Sequence, residues 1–195
     1  MMRMSFAVPL VLLAGCSPGE PQVPDKTGGG PGAAQPAPQA TETAVPTRVS
    51  AYTSLEHCEV VRKDRAEMPY TETQCAGPAG WALRIADADA RQTLTVRHPG
   101  GRESRLDTAR SGGGGFSSFG ETAEWRGPAG PKFAPDALIV RYQVAEQPHP
   151  APDTAYLLAI KLTPEPCIIA RIAPGAEQNA QARAAADRGG PCLAD

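Results

Sequence analysis

The sequence predicts an α+β domain that is mostly β: an antiparallel sheet of about six to eight short strands, one C-terminal α-helix and two disulfides. Three observations carry this. Apolar and polar residues alternate along several short runs separated by Pro, Gly and Asp. A single stretch, "GAEQNAQARAAADRGG", has the alanine content and the glycine stop of a helix. Four of the five cysteines fall in residues 58–192, and in an oxidising compartment an even set pairs.

In chain order, "MMRM" carries one cation, Arg3, and "SFAVPLVLLAG" is an apolar run of signal-peptide length, too short to cross a bilayer. At its end Leu13, Ala14, Gly15 and Cys16 resemble the lipobox of bacterial lipoproteins. The resemblance implies that residues 1–15 are removed and that Cys16 is acylated, with a palmitate-type chain among its lipids, which anchors the chain to a membrane. Ser17 follows the cysteine where Asp would favour inner-membrane retention, so the expected site is the outer membrane, facing the periplasm. Beyond Cys16, residues up to 48 are rich in Pro and Gly and hold no aromatic residue, so they bury too little apolar surface to order themselves. This tether, residues 16–48, leads to one globular domain, residues 49–195.

Within the domain "HCEVVR" and "TETQC" supply a first, weaker strand pair. "WALRIA" places Trp81, Leu83 and Ile85 on one face, and "QTLTVRH" does the same for Leu94 and Val96, with "DADA" joining the two as a hairpin. "TAEWR" is a further short strand, preceded by "ARSGGGGFSSFG" read as a long loop. "DALIVRYQV" and "AYLLAIKL" form a second hairpin across the proline-rich "EQPHPAPD", and "CIIARIA" follows as a third strand of that group. In the helix Ala176, Ala180 and Ala184 recur every four residues, which predicts a small-residue stripe against the sheet.

Cys58, Cys75, Cys167 and Cys192 allow three connectivities; the nearest-neighbour choice, Cys58 with Cys75 and Cys167 with Cys192, is preferred for its modest loops. The second bridge then staples the far end of the helix to the strand before it. A metal site is the rival, but there is no CxxC, and His57, His98 and His149 are scattered and read as solvated loop residues. No cofactor signature is present.

"YTSLEHCEVV", "TETQCAGPAGW", "FGETAEWRG", "PDALIVRYQV" and "CIIARIAPGAEQNAQARAAADRGGPC" resemble, in order and spacing, a family of exported proteobacterial proteins with no assigned activity. The resemblance spans most of Tyr52 to Cys192, and its most telling pieces are Glu124-Trp125-Arg126 and "NAQARAAAD". It implies a small periplasmic domain with paired cysteines. The lipobox, the tether and the glycine-rich loop depart from it.

A net charge of −2 lacks the basic excess that nucleic acid attracts. Ser117 and Ser118 lack the spacing of a G-x-S-x-G elbow, and "GGGG" lacks the Gly-Lys-Ser/Thr of a phosphate loop. Glu121 and Glu124, three apart on a strand, are expected on opposite faces, which separates them as an acid/base pair. Arg97, Arg102, Arg105 and Arg110 are partly balanced by Glu103 and Asp107 and read as a solvated face, with contact to anionic glycan or lipid headgroups as the sharper alternative. An exposed rim of Phe116, Phe119, Trp125 and Arg126 is the expected interaction surface. The expected function is a lipid-anchored, non-enzymatic envelope protein that binds another envelope protein or cell-wall material, as a lysozyme inhibitor does. An envelope hydrolase with an unrecognised active site and a structural subunit of an envelope assembly are the alternatives.

Overall fold

The computed structural model describes residues 47–193, apart from Ala66, Gly112, Gly113 and His149. Cys16, the apolar run before it and the tether up to residue 46 lie outside the described residues, as does His149. In chain order the elements are β1 (Arg48–Ser54), β2 (Glu59–Asp64), β3 (Tyr70–Ala76), β4 (Ala82–Ala88), β5 (Arg91–Arg97), β6 (Glu103–Leu106), α1 (Thr108–Ser111), β7 (Ser117–Pro128), β8 (Ala137–Val144), β9 (Thr154–Lys161), β10 (Cys167–Ile172) and α2 (Gln178–Arg188).

The alternation in "ALRIADA" and "RQTLTVR" closes as the β4–β5 hairpin, with Leu83 opposite Val96 and Ile85 opposite Leu94. Its two turn residues, Asp89 and Ala90, have φ of 52° and 55°, the left-handed pair that a two-residue hairpin of matching twist demands. β8 and β9 pair in the same antiparallel way from Ala137↔Lys161 to Val144↔Thr154, and β10 adds to β9. The N-terminal pair forms as β2–β3. Among the described residues every strand pairing is antiparallel except one parallel bridge, Arg91↔Ser117, where the Ser117 N–H donates to the Ala90 carbonyl at 2.8 Å.

That bridge is a fold line. On one side run β2-β3-β4-β5-β6, on the other β1-β7-β8-β9-β10. Leu83, Ile85, Leu94, Val96 and Leu106 from the first group and Trp125, Leu138, Val140, Leu158 and Ile160 from the second share one buried cluster, so the sheet doubles over on itself. β8 and β9 are apolar on their outer face too: Ile139, Leu157 and Ala159 join Ile172 in a second cluster against Ala182, Ala185 and Ala186 of α2. Both preferred disulfides are present, Cys58–Cys75 and Cys167–Cys192.

The structure corrects four expectations. Arg48 belongs to β1 and not to the tether, because its strand has a seven-residue partner in β7, from Arg48↔Pro128 to Ser54↔Thr122. Ser117 to Gly120 are part of β7 and not of a loop, because their backbone is laddered to β8 from Ser117↔Val144 to Phe119↔Tyr142. Among the described residues ten strands form where about six to eight were expected, β1 and the short β6 being additions. In α2 the buried side is Gln178, Ala182, Ala185 and Ala186, while Ala176, Ala180 and Ala184 are exposed. Uniform alanine content left the phase of the helix to be set by its larger side chains.

Trp125 is fully buried at the centre of the fold and its indole N–H donates to Thr53 Oγ1 at 2.8 Å. Gly77 sits against it: a Cβ there would lie 2.5 Å from Trp125 Cζ2, although its φ of −115° suits any residue. Gly77→Ala should therefore destabilise by about 1–3 kcal/mol in urea melts, whereas Gly100→Ala, which meets open space, should stay within about 0.5 kcal/mol of the parent. Ala90→Gly should raise stability by about 0.5–1 kcal/mol by relieving the left-handed alanine; a lowered unfolding midpoint would contradict this account of the turn.

Candidate functional site

β7 alternates Trp125 toward the core with Glu124 and Arg126 toward α2, and the charged side carries an extended polar cluster. Arg126 is buried and forks onto Asp187 of α2, Nε to Oδ1 at 2.6 Å and Nη2 to Oδ2 at 2.5 Å. Its Nη1 donates to Ser50 Oγ at 2.7 Å, and that hydroxyl donates on to Glu124 Oε1 at 2.6 Å. Arg48 bridges Asp187, at 2.9 Å from Nε, and Asp136, which it grips through both terminal nitrogens. Arg183 closes the cluster on Glu124 at 2.7 Å and on the Tyr52 hydroxyl at 3.0 Å. Three arginines thus meet three carboxylates. The hydrogen bonds of Arg126, reinforced by Arg48, hold the Asp187 carboxyl below its ordinary value of 3.8 against the opposing effect of burial. Burial pushes Glu124 up, but hydrogen bonds from Arg183 and Ser50 together with the nearby arginine charges outweigh it and hold the group below 4.5.

The expected rim of Phe116, Phe119, Trp125 and Arg126 is not formed. Trp125 is core, and Arg126 is consumed by Asp187, Ser50 and Glu124 on the other face of the strand. Phe119 is half-buried, its ring 5.1 Å from that of Tyr142. Phe116 alone is exposed, under the guanidinium of Arg91. Ser117 is buried and accepts a 2.7 Å hydrogen bond from the Tyr142 hydroxyl, and Ser118 lies 3.4 Å from Gln143. A register shift between Phe119 and Ala123 breaks the strand's period, so Glu121 and Glu124 line one cleft of 420 Å³ and not opposite faces. Glu124 enters it as an ionised acceptor already engaged by Ser50 and Arg183.

His57 is exposed, but His98 is not a solvated loop residue: it is half-buried with its ring 4.7 Å from that of Trp81. Burial first, then the charge of Arg102, lowers its pKa from 6.5. Its Nε2 is 3.4 Å from the buried Ser104 hydroxyl, which donates to Glu165 at 3.1 Å. Sequence reasoning missed this group, because Glu165 comes from the distant β9–β10 turn. Here the serine touches both partners itself, so the order of nucleophile, base and orienting acid that activates a hydroxyl is not assembled. Among the described residues no cluster of His, Cys, Asp and Glu is arranged to hold a metal.

The arginine-rich run divides. Arg97 pairs with Glu103 and Arg102 with Glu165. Arg105 and Arg110 instead line a cleft of 610 Å³ between β6–α1 and β10 with the C-terminal segment. Arg171 of β10 joins them, and Leu106, Ile168, Leu193, Pro166 and the Cys167–Cys192 bridge supply apolar wall.

No family model, curated protein or solved structure matches this chain. The geometry alone therefore separates two classes of charged group: a saturated internal network that locks α2 and β1 onto β7, and a cationic cleft with donors to spare. The first is structural. Arg126→Ala should cost about 2–4 kcal/mol by removing both of its hydrogen bonds to Asp187 and leaving that carboxylate to Arg48 alone, whereas Arg91→Ala, at an exposed pair with Asp89, should cost no more than about 0.5 kcal/mol. Because the folded-state values of Asp187 and Glu124 are depressed, their stabilisation is fully present above the ordinary values of 3.8 and 4.5 and is lost as pH falls through the folded ones. Urea midpoints measured from pH 6 down to about pH 3 should fall on the acid side, and less steeply in Asp187→Asn.

Proposed function

We propose that this chain is a lipid-anchored, non-enzymatic binding protein of the bacterial envelope, held at the outer membrane through Cys16 and facing the periplasm. The observation that carries the reading is the pairing of Cys58 with Cys75 and Cys167 with Cys192, which accounts for every cysteine except Cys16. Paired cysteines belong to an oxidising compartment, and a lone cysteine after Leu13-Ala14-Gly15 fits a lipidation site. The resemblance to exported proteobacterial proteins points the same way.

Binding is favoured over hydrolysis because Ser117 and Glu124, the groups with the best sequence claim to chemistry, are tied into internal hydrogen bonds. The partner class is an envelope protein or cell-wall material, with lysozyme inhibition as one concrete form. Expression of the full chain in a bacterium with an alkyne fatty acid should label it and place it in the membrane fraction, and Cys16→Ser should abolish both. Mass spectrometry of an unmodified, water-soluble product, or free thiols at Cys58, Cys75, Cys167 and Cys192 in the native protein, would refute the reading.

A further inference from the structure

The cleft between β6–α1 and β10 is built differently from the rest of the charged surface. Arg171 is held by two contacts, Nη1 donating to the Ser111 carbonyl at 2.5 Å and the guanidinium lying 4.4 Å from the centroid of the Tyr156 ring. Arg110 is held by Asp107, Nε to Oδ2 at 2.9 Å. A guanidinium carries five N–H donors. Each of these two guanidinium groups is therefore engaged through one nitrogen and keeps donors unspent. Arg105, the third arginine of the lining, makes no ion pair or side-chain hydrogen bond among the described residues.

Against three arginines stands one aspartate, so the lining carries two net positive charges. Apart from Ser111 the remaining wall is apolar: Leu106 and Ile168 are buried, Leu193 is exposed, and the second disulfide runs beside them. A volume of 610 Å³ is that of a site for a small organic molecule. The match is to a ligand with a doubly charged anionic head and a short apolar body. A phosphate monoester is such a head, close to dianionic at neutral pH, with three oxygens to receive forked donors.

We propose that this cleft binds a phosphomonoester carrying an apolar substituent, whether a soluble alkyl or acyl-chain monoester or the headgroup of a phosphatidic-acid-type lipid. The inference rests on the binding reading above in treating the domain as a receptor, but not on the anchor. Fatty-acid labelling can succeed while the following titration fails, and the reverse.

The test is calorimetric titration of the full chain, kept in nonionic detergent, with butyl phosphate, dibutyryl phosphatidic acid and inorganic phosphate, all water-soluble. Butyl phosphate should bind saturably and at least ~10-fold more tightly than inorganic phosphate, since each buried methylene contributes about fourfold. Arg110→Ala and Arg171→Ala should each weaken it ~10-fold or more, as loss of a charge-assisted hydrogen bond does. Arg97→Ala, at a residue paired with Glu103 and absent from the cleft lining, should change it less than about twofold. Arg110 is exposed, so its variant folds even if the loss of Arg171 from the Tyr156 ring does not allow that one to. Binding of dibutyryl phosphatidic acid alone, with the same arginine dependence, assigns the lipid headgroup; tighter binding of butyl phosphate assigns the soluble ester. Absence of saturable binding by either organic phosphate, affinity equal to that of inorganic phosphate, or indifference to Arg110→Ala overturns the proposal.

Discussion

Two neighbouring residues of β7 set the conditions for everything around them. Trp125 points into the cluster between the two halves of the sheet, and Arg126 points the opposite way, beneath α2. A strand buried on both faces normally carries apolar residues on both. β7 does so on one side only, and burying a guanidinium on the other is tolerable only if nearly every donor finds an acceptor and the charge is cancelled. Both conditions hold. Arg126 reaches Asp187 twice, Ser50 and Glu124, and the wider group of Arg48, Arg126 and Arg183 is matched by Asp136, Asp187 and Glu124. Because these six groups come from β1, β7, the approach to β8 and α2, satisfying Arg126 fixes the relative placement of all four.

This dependence explains which parts of the fold could be read in the sequence. The β4–β5 and β8–β9 hairpins were legible because their signal is local: short apolar-rich arms adjacent in sequence, with a polar or proline-rich break between them. The disulfide pairs were legible because short loops close most easily. β1 was not, since "RVSAYTS" has half-exposed side chains and follows directly on a Pro-rich tract. What makes it a strand is the distant edge of β7 and the grip of Arg48 on Asp136 and Asp187, contacts 88 and 139 residues away in sequence. Ser117 to Gly120 were obscured in the same manner, by glycines next to a strand whose partner lies beyond an intervening turn.

The candidate site was legible in fragments. The arginines of "RHPGGRESRLDTAR" were recognised as a cluster, but not the sorting of Arg97 and Arg102 onto carboxylates and of Arg105 and Arg110 into a cleft, because Arg171 and Glu165 arrive from elsewhere in the chain. The aromatic rim failed for a related reason. Sequence proximity of Phe116, Phe119 and Trp125 says nothing about face once a register shift falls between Phe119 and Ala123. The same shift brought Glu121 and Glu124 to one cleft when regular alternation would have parted them.

α2 shows why the second disulfide matters to the cleft as well as to the helix. Its contact with the sheet is thin, Ala182, Ala185 and Ala186 against Ile139, Leu157, Ala159 and Ile172, and alanine buries little surface. The helix is therefore secured by polar and covalent ties. The Gln178 amide donates to the Ala155 and Ile172 carbonyls at the start, Arg183 in the middle and Asp187 in the last turn engage β7, and Cys192 reaches Cys167 beyond the end. After the glycine stop the chain passes the bridge, and the Leu193 N–H donates to the Ile168 carbonyl at 2.8 Å, covering part of the open edge of β10. That covered edge is one wall of the arginine-lined cleft. The Cys167–Cys192 bond thus holds the C-terminal segment against β10 and with it one wall of the arginine-lined cleft, so the end of the helix and the integrity of the cleft depend on the same pair of sulfurs.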